Sequence, residues 1–172
     1  VWEGIRLHKG NLLYLDEHFD RLFAGAAALA IDLKRSRKEL VQALKDTLDK
    51  NGMESDVHIR LIISRGLKNT PYQHPKAVVG KPTVVIIPEY KKASEKVKQT
   101  GITLATVETR RDHYVQDPKI NSLSKHNCIA ACIEAERLGA DEALMLDPHG
   151  YVATCNSTNF FIVRADHLWT ST

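Results

Sequence analysis

A primary amine attacks a carbonyl carbon when its surroundings keep part of its population unprotonated. Lys119 stands in a polar lead-in, residues 117–123, just ahead of a helix, where an amine of that kind can act. A lysine in that place serves equally well as a solvated surface cation. Two arginines carry a second chemistry, because a planar, permanently charged guanidinium grips phosphate or carboxylate with paired N–H groups. Arg21 lies beside an apolar helical stripe, either as a phosphate anchor or as a surface arginine. Arg60 sits in the middle of the apolar run VHIRLIIS, where a charge needs a partner. It either points to solvent from an alternating strand or projects into a cleft to meet a substrate carboxylate. Tyr72 and His74 belong to a long loop rich in Gly, Pro and basic residues, of a kind that often contacts substrate; a loop histidine is otherwise simply solvated. Cys128 and Cys132, four apart with His126 nearby, lack the second ligand pair of a metal centre. They read as small buried side chains, and no metal is expected.

The elements that must position these groups follow from periodicity. Residues 1–15 read as a hairpin turning at His8-Lys9-Gly10-Asn11. Asp16 is the expected N-cap of a helix over 17–30, with Phe19, Leu22, Phe23, Ala26 and Ala30 on one face. Ser36 and Glu39 form a capping box for a second helix, whose stripe is Leu40, Val41, Leu44 and Leu48 and whose end is Asn51-Gly52. Residues 57–64 predict a mostly buried strand, and 82–88 and 101–107 two more. Residues 91–98 are a solvated charged segment, and 108–116 have no apolar period and read as a linker. A helix capped by Ser124 or Asn127 carries Ile129, Cys132, Ile133 and Glu136 in its pattern and stops at Gly139. Strand 143–146, a turn over 147–150 and a buried strand over 160–163 close the chain.

Bulk properties bound the function. With 172 residues, one domain or one and a half is expected. Hydrophobic residues are 43% and charged residues 26%, an ordinary globular balance. A formal net charge of +3 is too small and too evenly spread to argue for nucleic acid. No apolar run reaches the length of a membrane span. Three cysteines in no framework pattern suit a reducing, cytoplasmic compartment.

Two separated motifs in order bear a resemblance. GADEALMLDPHGYV followed by NSTNFFIV, preceded by Glu134-Ala135, is similar to the class-IV aminotransferases, the fold-type-IV pyridoxal-phosphate enzymes. That group includes branched-chain and D-amino-acid aminotransferases and aminodeoxychorismate lyase. The opening Glu3-Gly4-Ile5-Arg6 and the run Glu17-His18-Phe19-Asp20-Arg21-Leu22 resemble the family's N-terminal domain.

The resemblance implies an α+β or α/β fold of the D-amino-acid aminotransferase type, in two domains with pyridoxal 5'-phosphate (PLP) between them. On that footing residues 1–107 are the smaller N-terminal domain, 108–118 the linker, and 119–172 the first part of the larger domain. The chain reads as an internal fragment. The implied activity moves an amino group between an amino acid, branched-chain amino acids among the candidates, and a 2-keto acid through a Schiff base on Lys119. Arg21 is implied as the phosphate anchor, and Thr154, Asn156, Ser157 and Thr158 as further cofactor contacts. Arg60 is a candidate for the substrate carboxylate, with Tyr72 and His74 facing substrate. A homodimer or larger homo-oligomer is implied as well. Two positions depart from the pattern. Counted back from Glu134-Ala135 without gaps, the reactive lysine of the D-amino-acid enzymes falls on Asn121, not Lys119; Lys125 is the other lysine nearby. Thr154 stands where the family has a glutamate that pairs with the pyridine nitrogen, and threonine cannot hold a full positive charge there. The alternative reading is therefore a catalytically impaired relative acting as a binding protein, or a PLP-dependent lyase.

Overall fold

The computed structural model describes residues 1–114 and 117–171; Val115 and Gln116, within the expected linker, and Thr172 lie outside the described residues. The chain divides into two compact units, residues 1–92 with 119–123, and residues 93–118 with 124–172.

In the first unit β1 (Trp2–His8) turns at Lys9 and Gly10 into the short β2 (Asn11–Leu12). Helix α1 (Leu15–Ala28) and helix α2 (Arg37–Lys50) follow, then β3 (Val57–Ser64) and β4 (Thr83–Tyr90). The sheet order is β2-β1-β3-β4, antiparallel throughout. Alternation decides which face is core. Val1, Glu3, Ile5 and Leu7 are buried, and so are Val57, Ile59, Leu61 and Ile63 opposite them. Phe19, Leu22, Ala26, Leu40, Leu44 and Leu48 from the helices pack on that face. β3 is thus half buried rather than mostly buried, and Arg60 stands on its exposed side.

Helix α1 starts ahead of its expected cap. Tyr14, at φ 51°, is the N-cap and gives no side-chain bond; Asp16 lies in the first turn and pairs with Arg37. Arg65 closes the other end, donating to the carbonyls of Leu29 and Ala30, where the helix dipole is negative. The capping box at Ser36 and Glu39 forms on α2. Between β3 and β4 the loop needs Gly66, at φ +84°, since a Cβ there would lie 2.2 Å from the Lys81 carbonyl oxygen.

In the second unit the short helix α3 (Glu95–Thr100), capped by Ser94, lies within the charged segment, which is exposed as expected. β5 (Leu104–Thr106) runs parallel to β6 (Glu142–Leu146), which pairs antiparallel with β7 (Val152–Cys155). The strand expected over 101–107 therefore belongs with the second unit, because its hydrogen-bond partner is β6. Helix α4 (His126–Arg137) begins after Lys125, not with a Ser124 or Asn127 cap; Asn127 Oδ1 instead accepts from the Cys128 amide. Its buried face is Cys128, Ala131 and Ala135, while Ile129, Cys132 and Ile133 are exposed. Small side chains let α4 lie close on Ala143 and Met145, so the larger ones face away. β8 (Phe161–Arg164) pairs with β9 (His167–Thr170), and both are exposed, contrary to the buried strand expected there. No helix among the described residues is long and apolar enough to cross a membrane.

Candidate functional site

The first unit contains a buried carboxylate that the helix and strand periods bring into reach of an arginine and a histidine. Glu3 takes a core-facing position on β1, and its side chain is 1% exposed. His18 and Arg21 are one turn apart on α1 and point at it together. Arg21 donates Nε to Glu3 Oε1 at 2.8 Å and Nη2 to Oε2 at 2.6 Å, a paired fork. His18 Nδ1 lies 2.7 Å from Oε2, and Asn121 Nδ2 donates to Oε1 at 3.3 Å. Burial alone would raise the Glu3 pKa; the bonds from Arg21, His18 and Asn121 outweigh it and hold the carboxyl below its ordinary value. Glu3 in turn raises the Arg21 pKa.

The Arg21 side chain is 51% exposed, and its remaining nitrogen, Nη1, makes no hydrogen bond or ion pair among the described residues. One edge of the guanidinium is held by the protein and the other is open, which suits an external anion such as a phosphate monoester. The donor set thus fits the phosphate arm of PLP.

Residues 119–123 are stitched to the same strand. Trp2 N donates to the Asn121 carbonyl at 2.9 Å and Trp2 Nε1 to the Ser122 carbonyl at 3.1 Å, while Ile120 packs against the first core. Lys119 is exposed at the start of this segment, and Asn121 is half-buried with its amide on Glu3. Arg60 lies with its Cζ 4.4 Å from the centre of the Trp2 ring. The Tyr72 and His74 rings stack on each other at 6.2 Å, both exposed, and His74 Nδ1 accepts from the Lys76 amide.

In the second unit two of the candidate cofactor residues, Ser157 and Thr158, meet another buried carboxylate. Ser157 N, Ser157 Oγ and Thr158 Oγ1 all donate to Glu142 Oε1, at 3.2, 3.0 and 2.9 Å. Glu142 is 9% exposed. Asn156 is spent on the backbone of β6: its Oδ1 accepts from the Ala143 amide at 2.7 Å and its backbone amide donates back to the Ala143 carbonyl. Thr154 Oγ1 donates to the Thr158 carbonyl at 2.9 Å, so its hydroxyl holds the turn shut. Burial, and then the charge of Glu142, push the neighbouring Cys155 thiol up. Arg111 Nη1 donates to the Sγ of Cys128 at 3.1 Å, and no group of three metal-ligating side chains occurs among the described residues.

Glu3, Glu142 and Trp2 receive no site role from sequence, although Glu3 and Glu142 stand in the quoted motifs. A signal existed for Glu3: Val1, Glu3, Ile5, Leu7 is an alternating set, and a carboxylate inside it demands a cation. Glu142 stands inside the motif GADEALMLDPHGYV, but its bonds to Ser157 and Thr158 are made by the turn after β7, and Trp2 acts through a partner 120 positions along the chain.

The family model for amino-transferase class IV matches residues 1–172. Branched-chain-amino-acid aminotransferase-like protein 1 of Arabidopsis thaliana is 41% identical over 165 residues, covering 95% of this chain and 30% of that protein. The putative branched-chain-amino-acid aminotransferase of Methanocaldococcus jannaschii is 36% identical over 167 residues, covering 95% of this chain and 56% of that one. The solved branched-chain amino acid aminotransferase of Thermobaculum terrenum, in its PLP form, superposes with a TM-score of 0.80 at 26% identity, over 99% of this chain and 57% of that one. The chain therefore spans between about a third and three fifths of the relatives it matches.

Proposed function

The chain belongs to the class IV aminotransferases and has their fold, and on that premise we propose that the protein it comes from is a PLP-dependent aminotransferase. Its substrates are an amino acid and a 2-keto acid, of the branched-chain class that the relatives' names carry. The observation that carries the reading is Arg21: a guanidinium fixed on one edge by buried Glu3 and open on the other.

When bound, PLP supplies an aldehyde for an amine and a conjugated ring that accepts the electrons of a breaking substrate bond. The chain's own residues supply the rest. Arg21 binds the phosphate through its open edge. Lys119 supplies the amine and carries the proton taken from the substrate carbon. Thr154, its O–H donated to the Thr158 carbonyl, would meet the ring nitrogen as a neutral acceptor, and Asn156, Ser157 and Thr158 would be the further cofactor contacts. Arg60 takes the substrate carboxylate, with Tyr72 and His74 beside the substrate. The protein is a homodimer or larger homo-oligomer in the cytoplasm, a compartment that suits three free cysteines; its mass in light scattering tests the oligomer.

A second reading has its own observation: the Asn121 amide sits on Glu3, and an amide cannot attack an aldehyde. In that reading the protein binds PLP or a similar anion without catalysis. One experiment separates the two. Full-length protein is incubated with PLP, reduced with borohydride and mapped by peptide mass. The aminotransferase reading expects a visible absorption band, lost in Lys119→Ala, and cofactor fixed on Lys119. Fixation on Lys125 moves the site. PLP that binds but is not fixed selects the binding protein, and no uptake at all sinks both readings.

A further inference from the structure

On the face of the first sheet opposite the helices, one side chain links two candidate groups. Gly4 on β1 pairs directly with Arg60 on β3, and Trp2 pairs with Ile62, so Trp2 and Arg60 are diagonal neighbours. Gly4 lies beside both groups: a Cβ there would touch Trp2 Cζ3 at an ordinary 3.6 Å and would crowd His58 Nε2 at 2.9 Å. The ring then takes the Arg60 guanidinium on its face, with Cζ 4.4 Å from the ring centre. Arg60 makes no hydrogen bond or ion pair among the described residues, so its donors remain available while its cation rests over the indole. At the ring's edge, Trp2 Nε1 donates to the Ser122 carbonyl, and the Trp2 amide donates to the Asn121 carbonyl. One tryptophan thus orients a free guanidinium with its π face and ties down the segment that carries Lys119 with its N–H groups.

We propose that Trp2 is a positioning residue for substrate: it presents Arg60 to a carboxylate and keeps the Lys119 segment in register with it. The inference rests on the reading of Arg60 as the carboxylate-binding group. A guanidinium on a flexible stem must be ordered before it can donate two parallel hydrogen bonds to a carboxylate. Stacking on an indole orders it in advance and leaves its rim donors open, which an aliphatic neighbour of the same bulk cannot do. The amine segment needs the same restraint, since residues 119–123 form no helix or strand of their own.

The test is calorimetric binding of isovalerate and of isovaleramide to the full-length protein. The two probes share an apolar branched tail and differ in the carboxylate. Trp2→Leu keeps apolar bulk and removes the π face; Trp2→Phe keeps the face. Trp2→Leu is expected to weaken isovalerate about tenfold, equivalent to about 1.4 kcal/mol, and to change isovaleramide less than about twofold. Trp2→Phe should stay within about threefold of the parent for both. The positioning role is overturned if Trp2→Leu binds isovalerate as Trp2→Phe does, or weakens both probes alike, while Arg60→Gln still erases the preference for acid over amide. If Arg60→Gln leaves that preference intact, the carboxylate reading of Arg60 fails first and the inference goes with it. Melting temperatures of the three variants separate loss of binding from loss of fold.

Discussion

Breaking an ion pair is asymmetric when one partner is buried and the other is half in water. Arg21→Gln strands the Glu3 carboxylate, 1% exposed, with only His18 and Asn121 as donors. That change should cost about 3 kcal/mol. Glu3→Gln leaves a guanidinium that can turn to solvent, and should cost only about 1 kcal/mol. Urea midpoints of the two variants check the order, and equal costs would contradict it. The same carboxyl makes a pH prediction. Its folded pKa is depressed, so on acidification it binds its proton later than in the unfolded chain. Its stabilisation is therefore complete above the ordinary glutamate value of about 4.3 and is lost as the pH falls from there through the folded value. Stability of the parent should drop in that acid window, and the drop should shrink in Glu3→Gln.

At the scale of elements, α1 carries an internal glycine with an identifiable role to test. Gly25 is buried in the middle of α1 with ordinary helical backbone. A Cβ there would meet Val1 Cγ1 at 3.4 Å and Ile120 Cγ2 at 3.6 Å, both within normal contact range. Gly25→Ala should therefore stabilise the protein by about 0.5–1 kcal/mol through the entropy removed from the unfolded chain, seen as a higher melting temperature. A lower one would mean that the segment holding Ile120 cannot accommodate a methyl group. The two long helices of the first unit differ in how far sequence reveals their starts, for a physical reason. The box at Ser36 and Glu39 is a local exchange of hydrogen bonds and needs no tertiary partner. The start of α1 follows a left-handed Tyr14, and Asp16 is drawn instead to Arg37, twenty-one residues on. On α4 the large apolar residues suggested the buried face, but close approach to β6 selected Ala131 and Ala135.

For the molecule as a whole, the first unit's core rests on paired alternating strands. Leu61, fully buried on β3 opposite Glu3, should cost about 3 kcal/mol when cut to alanine. Leu67, 76% exposed in the following loop, should cost less than about 0.5 kcal/mol. Chemical denaturation of both variants tests whether this sheet governs stability. The family was legible in GADEALMLDPHGYV, NSTNFFIV and the Glu-His-x-x-Arg-Leu run, because motifs of that kind hold a fixed spacing along the chain. The boundary between the units was harder to read. β5 looks like any apolar strand, and only its hydrogen bonds to β6 assign it to the second unit.

Taken alone, the order of residues determined what repeats over short distances: the strand alternation, the helical stripes, the capping box, the family motifs and the departures at Asn121 and Thr154. Tertiary structure decided which groups meet. Asn121 and Glu3 are 118 positions apart, yet share a hydrogen bond; Trp2 and Ser122 are 120 apart. Partners so distant leave no mark on local periodicity, since their encounter is set by how strands and helices pack. That packing put a carboxylate behind Arg21 and an indole beneath Arg60.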